Sequence, residues 1–278
     1  MLANHIEQIE IDSLWSGRRH IRWQLRPDVN ILSGVNGMGK TTILNRLVNE
    51  LKAMKEAVPS TSLREPRSTS VKVTLAPHEA TEVRFDVVRS FDNTMIPTSL
   101  AAKITDGIIR SELDWHLYEL QRRYLDYQVN IGNQMIEILT RGGADAQQEA
   151  MQASRAKTDF HDTIDSLFSE TMKTIDRTSN ELVFLQYGER LSPYRLSSGE
   201  KQMLIILLTV LLQNNQPYVL LMDEPEASLH VEWQQRLVGI IRNMNPNAQI
   251  ILTTHSPALI MDGWLDAVTE VSDIVVEE

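Results

Sequence analysis

Eight consecutive residues, Gly34-Val35-Asn36-Gly37-Met38-Gly39-Lys40-Thr41, have the types and spacing needed to wrap a chain around phosphate. Glycines let the backbone curl so that successive N–H groups face an anion. A helix beginning at their end adds its positive pole. Lys40 can then reach the outer phosphates of a triphosphate, and the Thr41 hydroxyl can ligate Mg²⁺. Far downstream, the apolar run Tyr218-Val219-Leu220-Leu221-Met222 closes on Asp223-Glu224. There Asp223 is placed to hold Mg²⁺, directly or through water, and Glu224 to polarise an attacking water. Two more pieces are ambiguous alone. Leu196-Ser197-Ser198-Gly199-Glu200 is, by itself, a serine cap with Glu three positions on, an ordinary helix start. Thr254-His255-Ser256 follows the apolar Ile250-Ile251-Leu252; a single His is more often a satisfied polar residue, but a strand end faces the ligand crevice of an α/β sheet.

These groups need a sheet to hold them. Ile6 to Ile11 and His20 to Leu25 alternate apolar and polar residues, as half-buried antiparallel strands do. Val29 to Leu32 leads into the glycine loop, and a helix runs from Thr41 to about Ala57. Pro59 to Ser70 reads as an exposed loop, after which Val71 to Leu75 and Glu82 to Val88 resume alternation. From about Asp106 to Ser179 the texture is helical. Leu113, Leu117, Leu120, Tyr124, Tyr127 and Ile131 recur at three- and four-residue steps, Gly142-Gly143 interrupts, and helix resumes toward Phe160, Ile164, Leu167 and Met172. Two limbs of about 30 residues, roughly 45 Å each, would fold back as a hairpin. The last hundred residues return to alternation: a strand within Glu181–Gln186, helix from Ser198 to Leu212, central strands at Tyr218–Met222 and Gln249–Leu252, helix from Leu229 to Met244, and edge strands at Ala267–Val271 and Asp273–Val276.

The chain of 278 residues has no cysteine, which excludes disulfides, thiolate metal sites and a cysteine nucleophile. A net charge of −10 argues against general coating of nucleic acid. A basic stretch, Arg18, Arg19, Arg22 and Arg26, precedes the glycine loop and reads either as a solvated edge or as a contact surface. No apolar stretch is long enough for a membrane span, and Met1 to Glu10 lacks the apolar core of a signal peptide, so a cytoplasmic protein away from membranes is expected.

In their order along the chain, these pieces resemble ABC-type ATPases, in particular the non-transporter branch of structural-maintenance, RecF and overcoming-lysogenisation-defect ATPases. Glu224-Pro225-Glu226-Ala227-Ser228-Leu229-His230 looks especially like the last of these and its bacterial defence relatives. The resemblance covers roughly residues 1–90 and 181–278. It implies an α/β P-loop fold with a mixed central sheet, an antiparallel N-terminal β-subdomain and a helical hairpin insertion. Residues 1–105 and 181–278 would form the ATPase and 106–180 the insertion. By resemblance Asn36, Gly37, Gly39, Lys40, Thr41 and Thr42 bind ATP and Mg²⁺. Asp223 supports the metal, Glu224 is the general base and His255 senses the γ-phosphate. Ser197, Ser198 and Gly199 are the signature that caps the γ-phosphate of the opposite subunit, and Ala227 to His230 the loop that crosses between sites. A head-to-tail homodimer enclosing two ATP molecules follows. His230 stands where transporters usually carry Asp, and Glu200 where they carry Gln. The glutamine that normally joins the helical part to magnesium has three candidates, Gln121, Gln128 and Gln134, and Arg18 or Arg19 is a candidate nucleotide contact. With so short a stretch after the His255 strand, no fused nuclease is expected. A sensor ATPase controlling a separate effector in anti-phage defence is therefore expected, with a DNA-binding repair ATPase as the alternative.

Overall fold

The computed structural model describes residues 1–14, 19–56, 70–89, 109 and 111–276. The chain runs β1 (His5–Leu14), β2 (Arg19–Gln24), β3 (Val29–Ser33), α1 (Lys40–Glu56), β4 (Val71–Ala76) and β5 (Phe85–Arg89). Then come α2 (Glu112–Arg141), α3 (Ala146–Leu167), β6 (Lys173–Ile175), β7 (Phe184–Gln186), β8 (Glu189–Leu191) and α4 (Ser198–Leu212). It closes with β9 (Tyr218–Asp223), α5 (Val231–Met244), β10 (Ala248–Thr253), α6 (Pro257–Met261), β11 (Val268–Glu270) and β12 (Val275–Val276). The expected loop at Pro59–Ser70 lies almost wholly outside the described residues, as does the expected helical start at Asp106.

The central sheet has the order β11-β3-β10-β9-β5, and every pairing in it is parallel. The antiparallel strands do not join it to make one mixed sheet; they form a second sheet, β12-β2-β1-β4. β5 belongs to the parallel sheet although its alternation resembles that of β1 and β2. Alternation fixes a two-residue period, not the direction of the neighbour. β11 and β12 are edge strands, as expected from the sequence.

Alternate residues of β9 serve two cores. Val219 and Leu221 join Ile43, Leu44, Leu47, Val48 and Leu51 of α1 and the inner face of β1. Leu220 and Met222 join α4 and the helical pair. The parallel sheet is therefore covered on both faces, which is why its strands read as unbroken apolar runs. α4 is buried from Met203 to Leu211 without exception, as a helix apolar all round must be.

α2 begins where the Ser111 hydroxyl accepts from the Asp114 N–H, and Leu113, Leu117, Leu120, Tyr124, Tyr127 and Ile131 are all buried on one stripe. Gly142 and Gly143 adopt φ of 70° and 128° between the helices. α3 stops at Leu167, short of Met172, whose φ is 55° and whose side chain is exposed. β6 and β8, which no local pattern announced, pair with β7 in a small antiparallel sheet.

The Tyr124 hydroxyl and His161 Nε2 lie 2.8 Å apart between the two helices. Burial, then Lys157 and Arg177, push His161 from 6.5 down to about 4, and burial pushes His116 down to about 4 as well. Each folded pKa lies below its unfolded value. The stability from keeping these rings neutral is thus complete above pH 6.5 and is lost as pH falls toward 4. Thermal or urea unfolding should show a loss of roughly 1–2 kcal/mol per ring between pH 7 and 5, with the lower figure where solvent screens the ring. A His161→Phe protein should show a shallower slope over that window.

Candidate functional site

The site lies at the carboxyl edge of the parallel sheet, where β3, β9 and β10 end side by side. β3 runs into the glycine loop, whose Gly37 and Gly39 adopt φ of 83° and 92°, a region that side chains with a Cβ rarely occupy. α1 starts at Lys40 and carries no acidic residue in its first turn. Its positive pole is thus left to an outside anion. Asn36 and Gly37 of the loop, and Thr41 and Thr42 of the helix, are exposed around that pole.

Lys40 is 4% exposed. Its ammonium donates to the Gly34 carbonyl at 2.8 Å and lies 2.7 Å from His255 Nε2. Burial holds its pKa below the usual lysine value, opposed by the charges of Glu224, Asp223 and Glu226. The Thr41 hydroxyl donates to Asp223 Oδ1 at 3.1 Å, and the Thr253 hydroxyl donates to the same oxygen at 2.6 Å. β9 and β10 are in register there, Asp223 opposite Thr253.

Glu224, the next residue, has a φ of 46°. That left-handed backbone costs a non-glycine residue of order 1–3 kcal/mol and persists where surroundings enforce it. Here the Glu224 N–H donates to both the carbonyl and the hydroxyl of Thr253. The turn swings the Glu224 carboxylate to 3.0 Å from His255 Nε2. Lys40, Thr41, Asp223, Glu224 and His255 thus converge from opposite ends of the chain.

Asp223 and Thr41 supply hard oxygen donors of the kind Mg²⁺ takes. Among the described residues no group of three or more His, Asp or Glu is arranged to hold a metal alone. That donor set fits a cation that draws its remaining oxygens from phosphate and water.

Of the residues expected to form the signature, Ser197 and Gly199 line a cavity that includes none of Lys40, Thr41, Asp223, Glu224 and His255. Ser197 caps α4 in a reciprocal box: its hydroxyl accepts from the Glu200 N–H, and the Glu200 carboxylate accepts from the Ser197 N–H. The local reading as a helix start is therefore correct at the level of hydrogen bonds. Ser197 and Ser198 are nevertheless exposed at the positive end of a long buried helix. Glu200 is buried and paired with Lys173 at 2.7 Å. Burial pushes its pKa up, but Lys173, the Ser197 N–H and Thr171 outweigh that and leave it below the usual carboxylate value. The next residue, Lys201, pairs with buried Asp114 of α2 at 2.8 Å. A Cβ on Gly199 would collide with the Ser228 backbone carbonyl. Glycine is therefore required where the signature meets the loop after Glu224. A cavity of about 450 Å³ opens beside Ser197, Gly199, Ser228, His230, Trp233 and Arg236.

Three glutamine candidates fall elsewhere. Gln121 donates to the Tyr194 hydroxyl, Gln128 to the Asn180 carbonyl, and Gln134 lines a cavity of about 860 Å³ between the helical pair and α4–α5. Sheet register instead brings Arg89, the last residue of β5, opposite Asp223, with its guanidinium donating to Asn45 of α1. Of the basic stretch, Arg18 lies outside the described residues, and Arg19 opens β2. Arg22 and Arg26 are ion-paired with Glu10 and Asp28. Glu226 belongs to the stretch that carries the resemblance but takes no role from the sequence, yet it is buried and accepts three hydrogen bonds from Thr254, His255 and Ser256.

The fold has known counterparts. The crystal structure of the SmcHead bound to the C-winged helix domain of ScpA superposes with a TM-score of 0.51 at 14% identity, over 93% of this chain and 91% of that one. The likeness is one of P-loop fold. In sequence, the chain is 27% identical over 172 residues to "Retron Vc95 probable ATPase" of Vibrio cholerae, covering 57% of this chain and 32% of that protein. It is 23% identical over 312 residues to "Septu protein PtuA" of Bacillus thuringiensis, covering 92% of this chain and 72% of that protein. The chain therefore spans about a third of the retron protein it matches. No helix among the described residues is long and apolar enough to cross a membrane. Residues 64–262 match the family described as "AAA domain, putative AbiEii toxin, Type IV TA system". With well over half its length in that match and an ABC-like P-loop fold around it, the chain belongs to this AAA family of ATPases.

Proposed function

We propose that the protein binds and hydrolyses ATP as a sandwich dimer, and that this cycle regulates a separate effector in bacterial anti-phage defence. The observation that carries the hydrolytic reading is the convergence of Lys40, Asp223, Glu224 and His255 at one sheet edge, with contacts of 2.7 Å and 3.0 Å at His255.

The glycine loop and the α1 terminus hold the phosphates through backbone N–H groups, and Lys40 leaves its present partners to pair with the outer phosphate oxygens. Thr41 and Asp223 would hold Mg²⁺, which when bound neutralises charge on the phosphates. Glu224 accepts the proton of the attacking water, and His255, within reach of Glu224, orients the terminal phosphate. Ser197, Ser198 and Gly199 lie outside this cluster, at the exposed end of α4. They serve the nucleotide of a second copy, so each site is completed by its partner.

The similarity to a retron ATPase and to Septu PtuA supports the regulatory, defence-linked reading. The pairing of Arg22 and Arg26 with acidic neighbours leaves less of the basic stretch for DNA.

Glu224→Gln removes the proton acceptor and keeps the shape. With ATP and Mg²⁺ this variant should elute as a dimer in size-exclusion chromatography, with turnover reduced at least about 100-fold. A monomer under those conditions would sink the sandwich. Purification of the same variant from its native host should then retain the effector, whereas strong stimulation by DNA at low salt would favour repair instead.

A further inference from the structure

We propose that Glu226 is the positioning residue that fixes His255 for catalysis. This rests on the reading of His255 as the group that orients the terminal phosphate.

His255 is the second residue beyond β10, in an irregular segment with no regular ladder to hold it. One carboxylate oxygen supplies the missing constraint. Glu226 Oε1 accepts from the Thr254 hydroxyl at 2.5 Å, from the His255 N–H at 2.9 Å and from the Ser256 N–H at 3.3 Å. Two successive backbone donors and the preceding side chain therefore share one acceptor; the Ser256 N–H also donates to the Thr254 hydroxyl oxygen at 2.9 Å, so the Thr254 and His255 bonds are those that rest on Glu226 alone. The Ser256 hydroxyl is held in addition by Gln234 of α5, whose amide also donates to the Leu229 carbonyl.

The imidazole that results presents Nε2 to both the Lys40 ammonium and the Glu224 carboxylate. Displacement of a reacting group by about 1 Å costs on the order of 10²-fold in rate, so loss of the anchor should act on turnover. The phosphate loop and α1 do not touch Glu226 through any of these bonds, so nucleotide affinity should be spared. Glu226 is 9% exposed and its second oxygen is buried with no hydrogen-bond partner among the described residues. A side chain kept there needs its first oxygen at that point, at the reach of a glutamate.

Reach and charge can be separated. Glu226→Gln keeps an acceptor oxygen at the same length and loses the charge; Glu226→Asp keeps the charge and is one methylene too short. The expected result is kcat within about fivefold of the parent for Gln. For Asp and for Ala, kcat should fall about 30- to 100-fold, the scale of such a displacement, with the Kd for ATP changed less than about threefold. His255 imidazole NMR signals should move in Asp and Ala and return in Gln. In a His255→Ala background, Glu226→Ala should cost no further activity, since the two act as one unit.

Additive losses in that double variant, an active Asp with an inactive Gln, or unmoved His255 signals would each overturn the assignment. The NMR readout needs no turnover. A parent protein that fails to hydrolyse ATP would refute the parent reading, and unmoved imidazole signals would refute this one separately.

Discussion

A Lys40→Ala protein is expected to lose at least about 100-fold in affinity for ATP, read by titration with a fluorescent ATP analogue. Lys40 is almost fully buried, and the charges of Glu224, Asp223 and Glu226 act on its ammonium. With alanine there, Asp223 and Glu224 face the phosphate site with no cation between them. Charge-assisted hydrogen bonds contribute about 1.5–3 kcal/mol each, so losing the contact to phosphate and adding repulsion gives more than the tenfold that about 1.4 kcal/mol represents. His255 also loses its 2.7 Å neighbour. Binding unchanged from the parent would refute the phosphate-loop assignment itself.

The second large effect should come from a single methyl group. In Gly199→Ala the new Cβ meets the Ser228 carbonyl, which is backbone and cannot rotate away. Either the α4 terminus or the loop after Glu224 must shift. α4 cannot yield easily, because Glu200 and Lys201 are tied to Lys173 and Asp114 and the helix behind them is buried from Met203 to Leu211. The loop, anchored at Leu229 and Glu226 by Gln234, gives first. ATPase turnover should fall about 100-fold, the scale of a displacement near 1 Å, while the monomer binds nucleotide as before. Size-exclusion with ATP in a Glu224→Gln background checks this directly. A normal dimer from the Gly199→Ala protein would show that Gly199 and the loop at Ser228 are not closely packed in solution.

The parts of the site that are legible in the sequence are those with a fixed local grammar. A phosphate loop needs glycines and a lysine at set intervals, and β9 needs an apolar run closing on acids. The buried stripe of α2 needs only a helical period. What local pattern misses depends on distance in sequence. Lys173 meets Glu200 across 27 residues, and no spacing rule joins them. Glu226 sits in a turn among other acids, and its role exists only because β10 brings Thr254 alongside. The candidate glutamines lie along a helix because a helix is what the pattern there makes visible. Proximity to Asp223 is set by the register of β5 against β9, which places Arg89 at that point. Ser197 shows the reverse: its local pattern gives the capping box correctly, and only the surrounding fold exposes the capped end.

The union of α4 with the helical pair has a mechanical corollary. α2 is 30 residues long, hence about 45 Å from root to tip, and its root shares one packed interior with α4. Dense interiors transmit tilt with little slack. A rotation of about 5° at the signature end would sweep the glycine bend through about 4 Å of arc over that length. In the dimer proposed above, the hairpin would turn events at a neighbouring copy's nucleotide into travel large enough for a distance probe to register.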